Sequence, residues 1–150
     1  MVPELNIQNC PSTQQASEIE AFFLYLGSTL ELNSFLEFSL TFLSSVEICA
    51  LNQEYRHQNS ATDILSFCLE GVEGQKSMGD IYLCLEEFQD EFGLGSPRQL
   101  LFFLIAHGIL HCLGWTHDDA ESYQEMMDYQ QELLQGFART STGDCQGSDL

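Results

Sequence analysis

The chain has 150 residues and carries 23 acidic side chains against only four Lys or Arg, which gives a formal net charge of -19. This excess of negative charge argues against a broad basic face for nucleic acid and against docking on anionic lipid, so any phosphate-bearing substrate has to be held locally. A hydrophobic fraction of 44% predicts one folded domain over residues 1–137, followed by a polar tail, 138–150, that we expect to be disordered.

The first half of the chain predicts strands and helices in alternation. Apolar residues alternate with polar ones over 4–8, which indicates a short half-buried strand. Over 15–30 they recur at three- and four-residue steps, the pattern of an amphipathic helix. A period of two over 35–42 predicts a strand with one apolar face. Ser44, or Ser45 directly after it, can then cap a second helix, and Ser44 forms a capping box with Glu47.

The second half predicts two short strands and two more helices. The strands cover 63–68 and 80–84 and are joined by a Gly-containing loop. A Ser-Pro pair at 96–97 begins a helix that stops at Gly114, and a final helix is expected over 120–137. The predicted class is therefore α+β, or mixed α/β: one small domain in which a mixed sheet of about four strands packs with four to five helices.

The sequence also predicts the compartment. Its longest apolar stretch, 100–113, is broken by two histidines and is shorter than the roughly 20 residues that a bilayer span needs. The N-terminus lacks the basic and apolar regions of a secretory signal, so we expect a cytoplasmic protein. The six cysteines are scattered singly, and in a reducing compartment we expect free thiols that behave as small buried hydrophobes.

Three of the four histidines lie close together and form the strongest chemical signal. His107 and His111 have the i, i+4 spacing that places both imidazoles on one helix face, within reach of one metal ion. Gly114 permits the positive φ that can bring His117 back toward the same point. Three neutral nitrogens leave the fourth tetrahedral position to water, as in catalytic zinc sites. Cys112 lies about 100° around the helix from His111, so it is assigned to the core.

The spacing H-x-x-x-H-x-x-G-x-x-H is shared with the metzincin proteases, in which a Glu directly after the first His acts as general base. Gly108 occupies that position here. Because glycine has no side chain to accept a proton, a zincin-like metalloprotease is only a minor alternative that would need a carboxylate from outside the helix.

Two separated motifs carry a family resemblance. The downstream motif, H-G-x-L-H-x-x-G-x-x-H, is formed by residues 107–117. The upstream motif, N-x-x-Y-R followed by T-D-x-L-S-F, is formed by residues 52–56 and 62–67. In this order they resemble the YbeY family, metal-dependent endoribonucleases of bacterial ribosomal RNA maturation, over roughly residues 36–137. The chain departs from the family pattern at several positions, which are Asn59, Ala61, Cys68, Trp115 and Thr116.

The resemblance implies a mechanism in which metal-activated water attacks a phosphodiester of single-stranded RNA. One metal ion, assigned as Zn2+ although nickel, copper or iron also suit three histidines, is held by His107, His111 and His117. The resemblance makes His111 and Arg56 the catalytic residues. The planar fork of Arg56 can grip two phosphate oxygens, whereas the alternative for this residue is a surface salt bridge.

Further residues receive supporting roles from the resemblance. Ser66 is a candidate for contact with substrate, or it simply satisfies the backbone. Asp63, Asp80 and Asp118 are candidates for orienting the metal ligands, with Asp119 as the alternative to Asp118. For the first two of these aspartates, hydrogen bonding at a turn or strand edge is the preferred interpretation.

The sequence therefore leaves two main alternatives for the function. The first is an endoribonuclease acting in rRNA maturation and ribosome quality control. The second is a ribosome-associated assembly factor whose metal is largely structural. Both imply RNA or ribosomal partners, and neither implies a membrane or DNA. Because the chain is acidic, we expect its intrinsic affinity for RNA to be weak and salt-sensitive, so that a ribosome or a protein partner supplies the missing attraction.

Overall fold

The computed structural model describes residues 3–32, 36–69, 77–115 and 118–149, except for the side chains of residues 69, 77, 78 and 141–149. A four-stranded mixed sheet lies at its centre. The strands are β1 (Glu4–Gln8), β2 (Leu36–Phe42), β3 (Ile64–Leu69) and β4 (Ser77–Leu83), in the order β1-β2-β4-β3. The first three in that order run parallel, whereas β3 is an antiparallel edge strand. The predicted mixed sheet of four strands is confirmed.

Four α-helices surround the sheet in the described part of the chain. They are α1 (Thr13–Thr29), α2 (Ser45–Arg56), α3 (Pro97–Cys112) and α4 (Ala120–Asp149), with a single 3-10 turn at Leu85–Glu87. The predicted caps are present: the Ser44 side chain accepts from the Glu47 amide while the Glu47 carboxylate accepts from the Ser44 amide. At α3 the Ser96 hydroxyl accepts from the Gln99 amide. Local sequence signals therefore determine where α2 and α3 begin.

The helices divide unequally between the two faces of the sheet. Helix α2 covers one face, where Ile48 packs with Leu65 of β3 and with Cys84. Helices α1, α3 and α4 cover the other face and share a larger core with β2 and β4. Because side chains alternate along a strand, neighbouring residues of β3 and β4 contribute to different cores. This alternation decides which candidate site residues can meet.

Helix α3 is the centre of the larger core. Every side chain from Leu100 to Ala106 is buried, as expected for a helix covered on several sides. Gly108 lets the helix approach the sheet closely, because a Cβ at this position would lie 3.0 Å from the Cδ1 atom of Ile81 on β4. The prediction that the histidine-bearing helix lies in the core is confirmed. The same contact turns position 108 toward the sheet, so it is not a place for a protease's general base.

The cysteines correct one expectation. The structure joins Cys68 and Cys112 in a disulfide with their Cα atoms 5.1 Å apart, so the expectation of free thiols is wrong for this pair. Cys10, Cys49 and Cys84 are free. The pairing could not be read from sequence, because the two residues are separated by 44 positions and meet only when β3 packs against the last turn of α3. Cys112 also packs against the core, as predicted.

Two boundaries differ from their predictions or fall outside the description. Helix α4 continues to Asp149, past the predicted end at residue 137, and the division there into a domain and a tail stays a prediction. The start of the predicted strand at Phe35 and most of the loop 71–77 lie outside the described residues. Within the described ranges, no helix is long and apolar enough to cross a membrane.

Candidate functional site

The two helical histidines lie side by side on α3. Their Nε2 atoms are 3.1 Å apart, and their rings meet edge to face with centroids 4.5 Å apart. Both side chains are partly buried. The i, i+4 spacing therefore places the two imidazoles together, as the sequence predicted.

The chain reverses directly after these histidines. Gly114 has a φ of +98°, which is the left-handed region that glycine tolerates best. The amide of Gly114 donates to the His111 carbonyl at 3.0 Å, and the amide of Trp115 donates to the Leu110 carbonyl, also at 3.0 Å. These two bonds form a Schellman motif. The predicted left-handed turn at Gly114 is confirmed.

His117 and Thr116 lie outside the described residues, so the position of the third imidazole stays a prediction. Within the described ranges, no three His, Cys, Asp or Glu side chains are grouped so that they could hold a metal ion. The Cys112 sulfur is bonded to Cys68 in the disulfide and is not a metal-ligand candidate. His117 is therefore still the candidate that the sequence offers as third ligand.

The structure adds one residue that no motif indicated. Gln130 of α4 has no exposed surface, and its Oε1 atom lies 3.0 Å from the Nδ1 atom of His107. Its Nε2 atom donates to the carbonyl of Phe103 at 3.1 Å. The signal in the sequence was its place between Met126 and Leu134, at helical spacing on an otherwise apolar stripe. A polar residue on such a stripe needs a buried partner.

Arg56 lies at the free edge of β3. Its Nη2 atom donates to the backbone carbonyl of Ser66 at 2.8 Å, and its guanidinium lies over the ring of Phe67, 4.9 Å from the centroid. The side chain is exposed, so the remaining N–H groups face solvent-accessible space. The structure thus brings together Arg56 and Ser66, the two predicted substrate-binding residues, although through the serine backbone and not its hydroxyl.

The disulfide connects the strand that carries Ser66 and Phe67 to the helix that carries both histidines. We call His107, His111 and Gln130 the histidine face, and Arg56, Ser66 and Phe67 the arginine edge. Ser66 and Cys68 share the side of β3 that faces α3, and Cys68 is bonded to Cys112, the residue after His111. The disulfide therefore joins the strand of the arginine edge to the helix of the histidine face, whereas Phe67, the ring under the Arg56 guanidinium, packs on the α2 side of the sheet.

Asp63 and Asp80 take positions that differ from one another. Asp63 is half-buried just before β3, where the Thr62 hydroxyl donates to its carboxylate at 3.4 Å, and burial raises the pKa of this carboxyl above its ordinary value. Asp80 is paired across the strands with Phe67 and shares the α2 face with Tyr82, on the opposite side of the sheet from α3. These positions agree with the turn and strand roles preferred from the sequence.

Asp118 is exposed just before α4. Its neighbour Asp119 is the residue engaged at the helix start, because the Asp119 carboxylate accepts from the Ser122 amide at 2.7 Å. These bonds to Ser122 lower the pKa of Asp119. A role for Asp118 in orienting His117 stays a prediction.

Comparisons with known proteins identify one family. A family model described as Endoribonuclease YbeY matches residues 4–138. An endoribonuclease YbeY of Bacillus pumilus is 33% identical over 147 residues, covering 87% of this chain and 91% of the relative. One from Spiroplasma citri is 32% identical over 127 residues, covering 78% and 80%.

A solution structure of a Thermotoga maritima protein has the same fold. It superposes with a TM-score of 0.59 at 24% identity and covers 91% of this chain and 93% of its own. The family model spans the sheet, α3 with its paired histidines and the arginine edge together. The chain therefore belongs to the Endoribonuclease YbeY family.

Proposed function

We propose that the protein is a metal-dependent endoribonuclease that cleaves single-stranded RNA in the cytoplasm, in rRNA maturation and ribosome quality control. One observation carries the proposal: the Nε2 atoms of His107 and His111 lie 3.1 Å apart, side by side on one face of α3. The relatives from Bacillus pumilus and Spiroplasma citri bear the name endoribonuclease, which supports RNA as the substrate.

The donor set suits a divalent transition metal. Two neutral imidazole nitrogens on neighbouring turns of one helix match the ligands that Zn2+ prefers, and we propose that His117 is the third ligand after the Gly114 turn. A divalent cation bound there polarises a phosphoryl oxygen and lowers the pKa of water. The buried residues of α3 around the two histidines hold the imidazoles in place, so the site needs little reorganisation when substrate binds.

Arg56 is the proposed phosphate clamp. The Ser66 carbonyl takes one of its five N–H donors, and the Phe67 ring holds the guanidinium plane. The remaining donors can form two parallel hydrogen bonds to a phosphate, which neutralise charge that grows in the transition state. A fixed arginine loses less conformational freedom on binding than a mobile one.

The charge of the chain argues for a partner. A net charge of -19 makes the long-range interaction of the protein with the RNA backbone repulsive. We propose that the ribosome or a ribosomal protein holds the substrate near the site. Affinity for free single-stranded RNA should then be weak and fall further with added salt.

A cleavage assay tests the proposal. Zinc-loaded protein is incubated with a single-stranded RNA and with its duplex form, alongside the variants His111→Ala and Arg56→Ala. We expect cleavage of the single strand only, and a loss of at least about 100-fold in each variant, as for removal of other transition-state contacts. His57→Asn is the matched control, because His57 is exposed at the left-handed end of α2 and Asn tolerates that conformation.

Two results would contradict the proposal. If folded wild-type protein with bound zinc leaves single-stranded RNA intact, the metal is structural and the assembly-factor function is favoured. If the His111 variant cleaves as fast as wild type, the histidines are not part of the cleavage site.

A further inference from the structure

The hydrogen bond from Gln130 to the backbone bears on which ring nitrogen of His107 carries the hydrogen. The Nε2 group of the Gln130 amide donates to the Phe103 carbonyl at 3.1 Å. A backbone carbonyl can only accept, so the side-chain amide nitrogen of Gln130 must face it. If the amide were rotated by 180°, its oxygen would face the Phe103 oxygen, and two acceptors would oppose each other. The orientation of the Gln130 amide is therefore fixed by the backbone of α3.

This orientation places the amide oxygen against the imidazole. Oε1 of Gln130 lies 3.0 Å from Nδ1 of His107, and an amide oxygen can only accept. Nδ1 must therefore carry the hydrogen, which leaves the lone pair of the neutral ring on Nε2. That is the atom that lies 3.1 Å from Nε2 of His111, on the side where the metal is proposed to bind.

Burial makes this preference strong. Gln130 has no exposed surface, so water cannot replace either hydrogen bond, and leaving a buried polar group without its bond costs about 1–3 kcal/mol. The alternative tautomer would direct the bare Nδ1 of His107 at the Gln130 oxygen. The contact between the two histidines then has one direction, from Nε2–H of His111 to Nε2 of His107.

We infer that Gln130 is a positioning residue that holds His107 as the Nδ1–H tautomer, with Nε2 ready to bind a metal before the metal arrives. The inference rests on the proposed metal site but concerns the metal-free protein. If both Nε2 atoms were to hold a metal ion, only His111 would have to move its hydrogen from Nε2 to Nδ1. Partners of this kind raise metal affinity by about 10- to 100-fold in other metal sites.

Long-range proton–nitrogen NMR spectra of the histidine rings test the inference in metal-free protein at about pH 8, above the ordinary histidine pKa of about 6.5. Wild type should show His107 with the hydrogen on Nδ1. Gln130→Met keeps an unbranched side chain of similar length but removes both hydrogen bonds, so the preference should be lost. Zinc affinity of this variant should fall by about 10- to 100-fold.

The variant Gln130→Glu tests whether the hydrogen-bond acceptor for His107, and not the packing of the side chain, is what matters. A carboxylate still accepts from Nδ1–H but cannot donate to Phe103, so this variant should keep the hydrogen of His107 on Nδ1 and lose less zinc affinity than Gln130→Met, because carboxylates are common partners of metal-bound histidines. Leu133→Met is the control, since Leu133 is a buried core residue of the same helix and should change neither measurement.

Some outcomes overturn the inference. A wild-type His107 with its hydrogen on Nε2 does so directly, and so does a Gln130→Met protein that keeps both the Nδ1–H tautomer and the zinc affinity. Failure of the proposed function would look different: wild type would show the expected tautomer, yet it would not bind zinc or would not cleave RNA.

Discussion

The histidine face and the arginine edge are held in place by different means. The histidines lie on a helix whose residues from Leu100 to Ala106 are all buried, and a buried amide on α4 holds one ring. Arg56 is exposed and is held by one backbone carbonyl and one aromatic ring at the free edge of the sheet.

This difference has a physical basis in the two tasks. A metal site needs nitrogens placed to within a fraction of an ångström, which a close-packed core supplies. A phosphate clamp must stay accessible to a large substrate, and an edge strand offers unpaired carbonyls that can anchor an arginine without burying it. We expect perturbations of the histidine face to change metal binding, and those of the arginine edge to change substrate handling alone.

Breaking the disulfide between β3 and α3 should have the largest effect on stability. Reduction of the Cys68–Cys112 disulfide, or the variant Cys68→Ser, should lower the free energy of unfolding by about 2–4 kcal/mol, because the crosslink restricts the unfolded chain. Denaturant unfolding with and without a reductant measures it. Cys10→Ser and Cys49→Ser are the controls, because both cysteines are free. Equal unfolding midpoints with and without reductant would show that the two sulfurs are not joined.

Arg56→Lys sharpens the comparison at the arginine edge. We expect cleavage to slow by about 10-fold while stability stays within about 0.5 kcal/mol, since an ammonium keeps the charge but not the two parallel hydrogen bonds. Zinc affinity should not change. Steady-state kinetics and zinc titration measure these effects.

Arg98→Lys is the matched control for that variant. Arg98 also lies over an aromatic ring, 4.7 Å from the Phe102 centroid, and bonds to Glu18 at 3.0 Å. It lies in the first turn of α3, roughly 20 Å along the helix from His111, so cleavage should be unchanged. Equal losses in both variants would mean that the Arg56 effect is not specific to the site.

Asp63→Asn should have the smallest effect, and its sign depends on pH. Burial raises the pKa of Asp63 in the folded state, so its stabilising contribution is present below the unfolded pKa and is lost as pH rises through the folded pKa. The variant should therefore be more stable than wild type at neutral pH, by less than about 1 kcal/mol, and the difference should vanish in acid. Thermal unfolding across pH measures it.

Asp90→Asn is the control with the opposite sign. The backbone amides of Gly95 and Leu94 donate to the Asp90 carboxylate and lower its pKa, so its contribution is present above the unfolded pKa and is lost as pH falls. This variant should be less stable than wild type at neutral pH. If Asp63→Asn were also destabilising there, burial would not be the dominant effect on Asp63.

The sequence by itself predicted the features that depend on neighbours along the chain. Helix caps at Ser44 and Ser96, the i, i+4 pairing of His107 with His111, and the left-handed Gly114 were all readable, because each is decided within a few residues. The family resemblance, with Arg56 and Ser66 in its upstream motif, was also readable from local patterns.

Tertiary structure alone decided the contacts that join distant segments. Gln130 reaches His107 only because α4 packs on α3, and Cys68 meets Cys112 only because β3 crosses the end of that helix. Asp80 and Ile81 are adjacent in sequence but belong to opposite faces of the sheet, and only the packing of α2 and α3 determines which face has which neighbour. Local patterns specify each element and its apolar side, whereas partners across the core depend on how all the elements pack at once.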